Sequence, residues 1–175
     1  MSHTKRSLAL FAGCSERGGF FALPGAAHAF QGLAMGSSYS VKIATRGLAD
    51  ATLAAAESTV AAALADVVGR MSHYDPASEV SRLNRHPVGE PFAVAPETLQ
   101  VFAAAQAVRS ASGGAFDVAL GLPVDEWGFG PSEKPRRVLS AAERQALQRL
   151  QRGGELALDA RAGTLTRRAP VLANL

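Results

Sequence analysis

Residues 50–70 are rich in alanine, and along them Leu53, Val60, Leu64, Val67 and then Met71 recur at three-, four- and seven-residue spacings. Those intervals place the five side chains on one face of a helix. Such a helix gains its stability by packing that face against other elements. Asp50 is positioned as its N-cap. Ahead of it, Ser38–Thr45 alternates Tyr39, Val41 and Ile43 with polar residues, the period of a half-buried strand, and Gly47 breaks the pattern. Behind it, Tyr74-Asp75-Pro76 interrupts, and Asp75 can cap a short helix that begins at Pro76 and runs through Asn84.

The remaining chain continues this mixture. A short strand is expected at Phe92–Ala95. Pro96 opens a helix with Leu99, Phe102, Ala105 and Val108 inward, terminated by Gly113-Gly114. Residues 121–137, rich in glycine and proline, read as a loop carrying Trp127 and Phe129. Ser140-Ala-Ala-Glu143 is a capping box that starts a helix ending at Gly153-Gly154. Glu155–Asp159 and Thr164–Arg168 flank a turn and read as a hairpin, and Val171–Leu175 begins another strand. Helices and mostly antiparallel strands without a βαβ rhythm make the fold class α+β.

Composition narrows the partners. At 175 residues, 47% apolar and 19% charged, the chain suits one globular domain or most of one. Its 18 Lys and Arg against 15 Asp and Glu leave a scattered +3, with no basic, aromatic-laced block, so nucleic acid is not an expected partner. A single cysteine, Cys14, excludes an intrachain disulfide framework and a thiolate zinc cluster. No continuous apolar run of membrane-spanning length follows residue 40.

Residues 1–29 read as an export signal. Lys5-Arg6 is a short basic region, apolar residues follow, and Ala27-His28-Ala29 offers a small-x-small cleavage site. Lys5-Arg6 weakly resembles a twin-arginine signal, and Phe11-Ala-Gly-Cys14 a lipoprotein box. The expected location is therefore the periplasm, with attachment to the inner membrane as the alternative. Cleavage after Ala29 would remove Lys5, Arg6, Arg17, Glu16 and Cys14, leaving a cysteine-free chain of net charge +1, from 3 − 3 + 1.

Phosphate-loop, HExxH, paired-cysteine and GxSxG patterns are absent, and His3, His28, His73 and His86 are scattered. Three segments carry possible chemistry. At Ala34–Ser40, Gly36 permits close backbone approach, and the amides and hydroxyls after it could meet a phosphate; an ordinary start to a strand is the plainer reading. In Met71–Asn84, Tyr74 could stack on a planar ring or sit half-buried in a capped helix–turn–helix. In Ser112–Pro131, Asp117 could accept from an adenine amine, a ribose hydroxyl or the amides that follow it, or serve only as a turn residue. Trp127 and Phe129 read first as packing residues.

Four segments in order, Met35-Gly-Ser-Ser-Tyr-Ser-Val41, Met71-Ser-His-Tyr-Asp-Pro-Ala-Ser-Glu-Val-Ser-Arg-Leu-Asn84, Ser112-Gly-Gly-Ala-Phe-Asp-Val118 and Trp127-Gly-Phe-Gly-Pro131, resemble the ApbE family, the FAD:protein FMN transferases. The resemblance runs from about Ala34 to the end. It implies an exported flavin transferase that takes FMN from FAD to a threonine hydroxyl of an acceptor flavoprotein, releasing AMP with the help of Mg2+. It also implies FAD contacts at Met35, Tyr74, Ala115, Phe116 and Asp117. Family members continue into a glycine-rich LDLGGIAKGY-like stretch and a second half that supplies most metal ligands. Here Ala173-Asn174-Leu175 stands where that stretch begins. Residues 30–175 are thus expected to be the N-terminal part of such a domain, with apolar faces left uncovered. A non-catalytic flavin-binding domain and a magnesium-dependent FAD pyrophosphatase are the competing functions.

Overall fold

The structure, a computed structural model, describes residues 27–44, 47–150 and 156–175. The basic and lipobox-like residues 5–14, the helix end at Gly153-Gly154, and Thr45 and Glu155 lie outside the described residues.

Strand β1 (Ala27–Ala34) pairs antiparallel with β2 (Ser37–Ala44), from Ala27↔Ala44 to Ala34↔Ser37. β2 matches the strand expected from alternation; β1 does not figure in the sequence reading. The small-x-small site Ala27-His28-Ala29 falls inside β1, paired with Ala44, Ile43 and Lys42. One face of the hairpin carries Phe30 opposite Val41 and Gly32 opposite Tyr39. A Cβ on Gly32 would lie 2.7 Å from the Tyr39 ring, so the ring covers the glycine.

Helix α1 (Asp50–Met71) follows, as expected, but two details differ. Its N-cap is Ala49, with no side-chain cap, and Asp50 is the first helical residue, where its charge faces the positive end of the helix dipole. The half-buried stripe runs Leu53, Val60, Leu64, Val68 and Met71, with Val67 exposed. Strict seven-residue steps drift around a 3.6-residue helix, and the stripe corrects that drift by moving to Val68. No residue of α1 is fully buried. α1 is also, among the described residues, the one helix long and apolar enough by length and composition to cross a membrane. Arg70 ties it to the next layer by pairing with Asp66 on α1 and with Glu97.

α2 (Glu79–Arg85) begins later than expected. Its N-cap is Ser78, whose Oγ accepts from Ser81 N at 3.0 Å, while Asp75 instead closes the preceding turn by accepting from Ala77 N at 2.8 Å. Pro76 thus lies in the turn and not at the helix start. β3 (Pro91–Ala93) leads to α3 (Pro96–Ala111). Ala95 and Pro96 cannot cap α3 with side chains, and the buried Glu79 of α2 does so in their place, accepting from Ala95 N at 2.8 Å. Thr98, Phe102 and Ala105 are α3's buried residues; Val108, expected inward, is exposed.

The first part of the expected loop at 121–137 is a helix, α4 (Gly121–Glu126). Pro123 sits in its first turn, where a missing N–H costs nothing. α5 (Ala141–Leu150) starts at the capping box: Ser140 N donates to Glu143 Oε2 at 2.8 Å, and Glu143 N returns a bond to Ser140 Oγ at 3.3 Å. β4 (Leu156–Asp159) and β5 (Thr164–Arg167) form the expected hairpin, and β3 joins β5 to give an antiparallel sheet of order β3-β5-β4. Residues 171–175 form no ladder; Leu172 makes a single parallel bridge with Leu120.

The core lies between this sheet and α2 and α3, built from Val80, Leu83, Phe102, Ala105, Val118, Leu156, Leu165, Val171 and Ala173. The C-terminal segment is pinned to it. Asn84 Nδ2 donates to Ala173 O at 2.9 Å and Asn84 Oδ1 accepts from Ala173 N at 2.7 Å. Arg167 Nη1 donates to Val171 O at 3.0 Å and its Nη2 donates to His86 O. Burial lowers the pKa of Arg167.

Candidate functional site

The β1–β2 turn is Met35-Gly36, with φ of 53° and 71°. A two-residue hairpin turn of the primed kind needs positive φ at both positions, and the right-handed strand twist selects it. Met35 is a non-glycine residue held in that region. Its side chain stands exposed at the hairpin tip. Beneath the tip lies a cavity of about 690 Å3 between the hairpin and α1, lined by Met35, Tyr39, Leu64, Val68 and Asp75 among others.

Tyr74 follows the end of α1. Ser72 organises the turn: its Oγ accepts from Tyr74 N and Asp75 N, each at 3.2 Å, and its carbonyl accepts from Ser78 Oγ and from Ser81 Oγ. The Tyr74 ring lies 4.1 Å from the His73 ring, tilted by 44°, and its hydroxyl donates to Phe129 O at 2.9 Å. At 59% exposure Tyr74 is open enough to meet a ligand, while its ring contact with His73 and its hydroxyl bond also anchor it in the capped turn. Burial lowers the pKa of His73, favouring its neutral form.

Ser112-Gly-Gly-Ala-Phe-Asp117 is the C-terminus of α3 and the turn after it. Gly113 N donates to Ser110 O and Gly114 N to Arg109 O, at φ of 60° and 85°, which is a Schellman ending. The next amides fold over Ser112: Ala115 N donates to its carbonyl and Phe116 N to its Oγ at 3.1 Å. Phe116 remains exposed. Among the described residues Asp117 bonds to Ala119 and Arg109. Its Oδ1 accepts from Ala119 N at 2.9 Å and its Oδ2 from Arg109 Nε at 2.8 Å. Asp117 is therefore a turn residue and one half of an ion pair, with further lone-pair positions on each oxygen. Together with Arg109 and Gln106 it lines a second cavity of about 210 Å3.

Of the five residues expected to meet FAD, Met35 lines the first cavity and Asp117 the second, and the two linings share no residue. Tyr74, Ala115 and Phe116 line neither, although Tyr74 adjoins Asp75 of the first. Trp127-Gly-Phe is a second Schellman ending, on α4: Gly128 N donates to Asp125 O and Phe129 N to Val124 O, with Gly128 at φ 80°. Sequence reasoning did not find the Phe129 carbonyl as the partner of Tyr74, nor Arg109 as the partner of Asp117. For Arg109, eight positions away across a helix end, the signal was the helix termination itself. For Phe129 there was none. Among the described residues no three His, Cys, Asp or Glu side chains converge, so these residues do not fit a Mg2+ site.

The profile of the ApbE family matches residues 35–172. The FAD:protein FMN transferase of Vibrio cholerae is 38% identical over 130 residues, covering 74% of this chain and 36% of that protein. The one from Haemophilus influenzae is 36% identical over 119 residues, covering 66% and 34%. Among solved structures, the apo flavinyl transferase ApbE of Pseudomonas stutzeri superposes with a TM-score of 0.74 at 29% identity, covering 89% of this chain and 51% of that one. The flavin transferase ApbE from Vibrio cholerae gives 0.74 at 32%, covering 85% and 48%. The chain therefore spans about a third of the length of the curated relatives it matches. The family match takes in all four segments, from the Met35 turn through the two Schellman endings, and this chain belongs to the ApbE family.

Proposed function

We propose that this chain provides an FAD-facing part of an FAD:protein FMN transferase, with FAD as donor and a threonine-bearing flavoprotein as acceptor. The observation that carries the reading is a family match over residues 35–172 that contains the hairpin tip, the Tyr74 turn and the Ser112–Asp117 turn. In the transfer, the threonine oxygen forms a bond to the FMN phosphorus as the pyrophosphate P–O bond to AMP breaks. The hydroxyl proton leaves to solvent or base, and AMP carries away the electron pair of the broken bond. The chain's own residues bind and orient. Tyr74 offers an exposed aromatic face. The Met35-Gly36 tip closes one side of the cavity. The Arg109–Asp117 pair fixes the turn that carries Phe116. A magnesium ion would neutralise charge on the cleaved pyrophosphate, most of its ligands coming, as the family resemblance implies, from the second half of the domain.

The reading extends to location. Lys5-Arg6, the apolar stretch and Ala27-His28-Ala29 support export to the periplasm, with a lipid on Cys14 holding the protein to the inner membrane as the variant form. Cleavage after Ala29 would leave Phe30–Ala34 to pair with Ser37–Val41. N-terminal sequencing of exported protein distinguishes the two, beginning at Phe30 or at Cys14.

A chimera tests the function. Residues 35–172 replace the matching stretch of the Vibrio cholerae FAD:protein FMN transferase, and acceptor flavinylation is read as in-gel flavin fluorescence. The expected result is a fluorescent acceptor band that Tyr74→Ala weakens. A folded chimera that binds FAD and makes no band would overturn the reading. Free FMN and AMP without a band would point to the pyrophosphatase.

A further inference from the structure

The segment after α4 is not accounted for by flavin contacts. Beyond its Schellman turn the chain doubles back. A Cβ on Gly128 would lie 2.7 Å from Arg136 Cα and from Lys134 O, and one on Gly130 would clash with Asp125 Oδ1. Both glycines are needed because residues 128–137 form a strap lying against its own start and the end of α4.

Charge holds the strap down. Lys134 Nζ stands 3.1 Å from Asp125 Oδ2 and 2.7 Å from Glu126 Oε1. Arg137 bridges Glu126 at 3.2 Å and Glu143 at 2.7 Å. Ser132 N donates to Asp125 Oδ1 at 3.1 Å, and the Arg136 guanidinium sits 4.9 Å from the Phe129 ring centre. Asp125 is buried, and a buried carboxylate needs a cation and hydrogen bonds to stay charged. Burial pushes its pKa up, but the Ser132 and Lys134 interactions outweigh that and leave it below the usual carboxylate value.

The strap reaches the Tyr74 turn through the Phe129 carbonyl, which accepts the Tyr74 hydroxyl across 55 positions. A ring as exposed as Tyr74 would otherwise sample several rotamers, and freedom lost on binding lowers affinity. We infer that Lys134 is a positioning residue for flavin binding: by locking the strap onto Asp125 and Glu126 it holds the Phe129 carbonyl where it fixes the direction of the Tyr74 ring. This inference rests on Tyr74 being a flavin-stacking residue.

The test uses the 175-residue chain with tyrosine labelled at 13Cζ. It has two tyrosines, Tyr39 and Tyr74, assigned with Tyr39→Phe. Lys134→Gln should shift the Tyr74 signal, leave Tyr39 in place and weaken FAD binding about twofold, no more than removing the Tyr74–Phe129 hydrogen bond itself would. Lys134→Arg should restore both, because a guanidinium can still face both carboxylates. Glu126→Gln, which leaves Lys134 on Asp125 and does not strand a buried charge, should give a smaller shift in the same direction. An unmoved Tyr74 signal in Lys134→Gln, or a moved signal with unchanged FAD affinity, would overturn the inference. A wild-type chain that binds no FAD would instead remove the functional reading, while the Tyr74 signal alone would still decide whether the lock exists.

Discussion

Replacing Asn84 with alanine should unfasten the C-terminal segment from the core. The Asn84 carboxamide makes two bonds to the same residue, donating to Ala173 O at 2.9 Å and accepting from Ala173 N at 2.7 Å. It therefore acts as a one-residue strand edge for a segment that has no ladder partner. Ala173 is 1% exposed, so truncation both deletes two bonds and leaves a buried N–H and C=O without partners. A hydrogen bond contributes about 1 kcal/mol net, and an orphaned buried group costs about 1–3 kcal/mol. Because Asn84 itself is half-buried, water can reach part of the gap, and the expected loss is about 2–4 kcal/mol. Val171 and Ala173 belong to the main core, so the loss should be global. Urea unfolding followed by far-UV circular dichroism reads it as a lower midpoint with unchanged slope. Asn84→Asp sharpens the test. A carboxylate keeps the acceptor for Ala173 N but sets a charge against Ala173 O. Its pKa in the folded state should therefore be raised, and the deficit should shrink as pH falls and the protonated acid can donate. A loss in Asn84→Ala below about 0.5 kcal/mol, the scale of an ordinary surface substitution, would refute the reasoning. So would an Asn84→Asp variant as stable as wild type at neutral pH.

Three further outcomes are expected. Tyr74→Ala should weaken FAD binding by about 1–3 kcal/mol, the range for base–aromatic stacking, and Tyr74→Phe by about 0.5 kcal/mol, since it keeps the ring and loses only an exposed hydrogen bond to Phe129; equal losses by calorimetry would mean that stacking is not the contact. Glu143 is held by Arg137 and Ser140 at a pKa of about 2, against an ordinary 4.5. A carboxylate with a depressed folded pKa adds stability above its unfolded pKa and loses it as pH falls through the folded one, so thermal melts should show a decline from pH 4.5 to 2 that is shallower in Glu143→Gln, where Asp125 and Glu126, also held below their ordinary values, still contribute. Gly113→Ala should cost about 1–2 kcal/mol, because an L-residue at φ 60° pays for the left-handed conformation; a neutral result in thermal unfolding would argue against the Schellman ending of α3.

What could be read from the sequence was local. The capping box at Ser140–Glu143, the Gly113-Gly114 ending and the Asp159–Thr164 hairpin each have their cause within a few residues, and each is present. Where two local signals competed, the fold decided: Asp75 and Ser78 are both good caps, and Ser78 wins because its hydroxyl and that of Ser81 both bond back to Ser72 O. β1 was hidden by composition. Its inward positions include Gly32 and Ala34, too small to register as an apolar alternation, and Tyr39 on β2 supplies the missing bulk. α4 was hidden by its glycines and proline, which mark a loop in isolation and here serve a first turn and a Schellman cap. The candidate site was legible only as a set of residues. Its arrangement depends on contacts such as Tyr74 with Phe129 and Asn84 with Ala173, 55 and 89 positions apart, for which no local chemistry gives a signal.

The proposed function requires the hairpin tip, the Tyr74 turn and the Ser112–Asp117 turn to face one FAD molecule. Titrating FAD into the 15N- and 13C-labelled 175-residue chain and following amide and side-chain shifts tests it most directly. Saturable changes are expected at Met35, Tyr74 and Ala115–Asp117, with α5 and the β4–β5 hairpin unaffected. Shifts confined to α5 or that hairpin, or none at any FAD concentration, would contradict it.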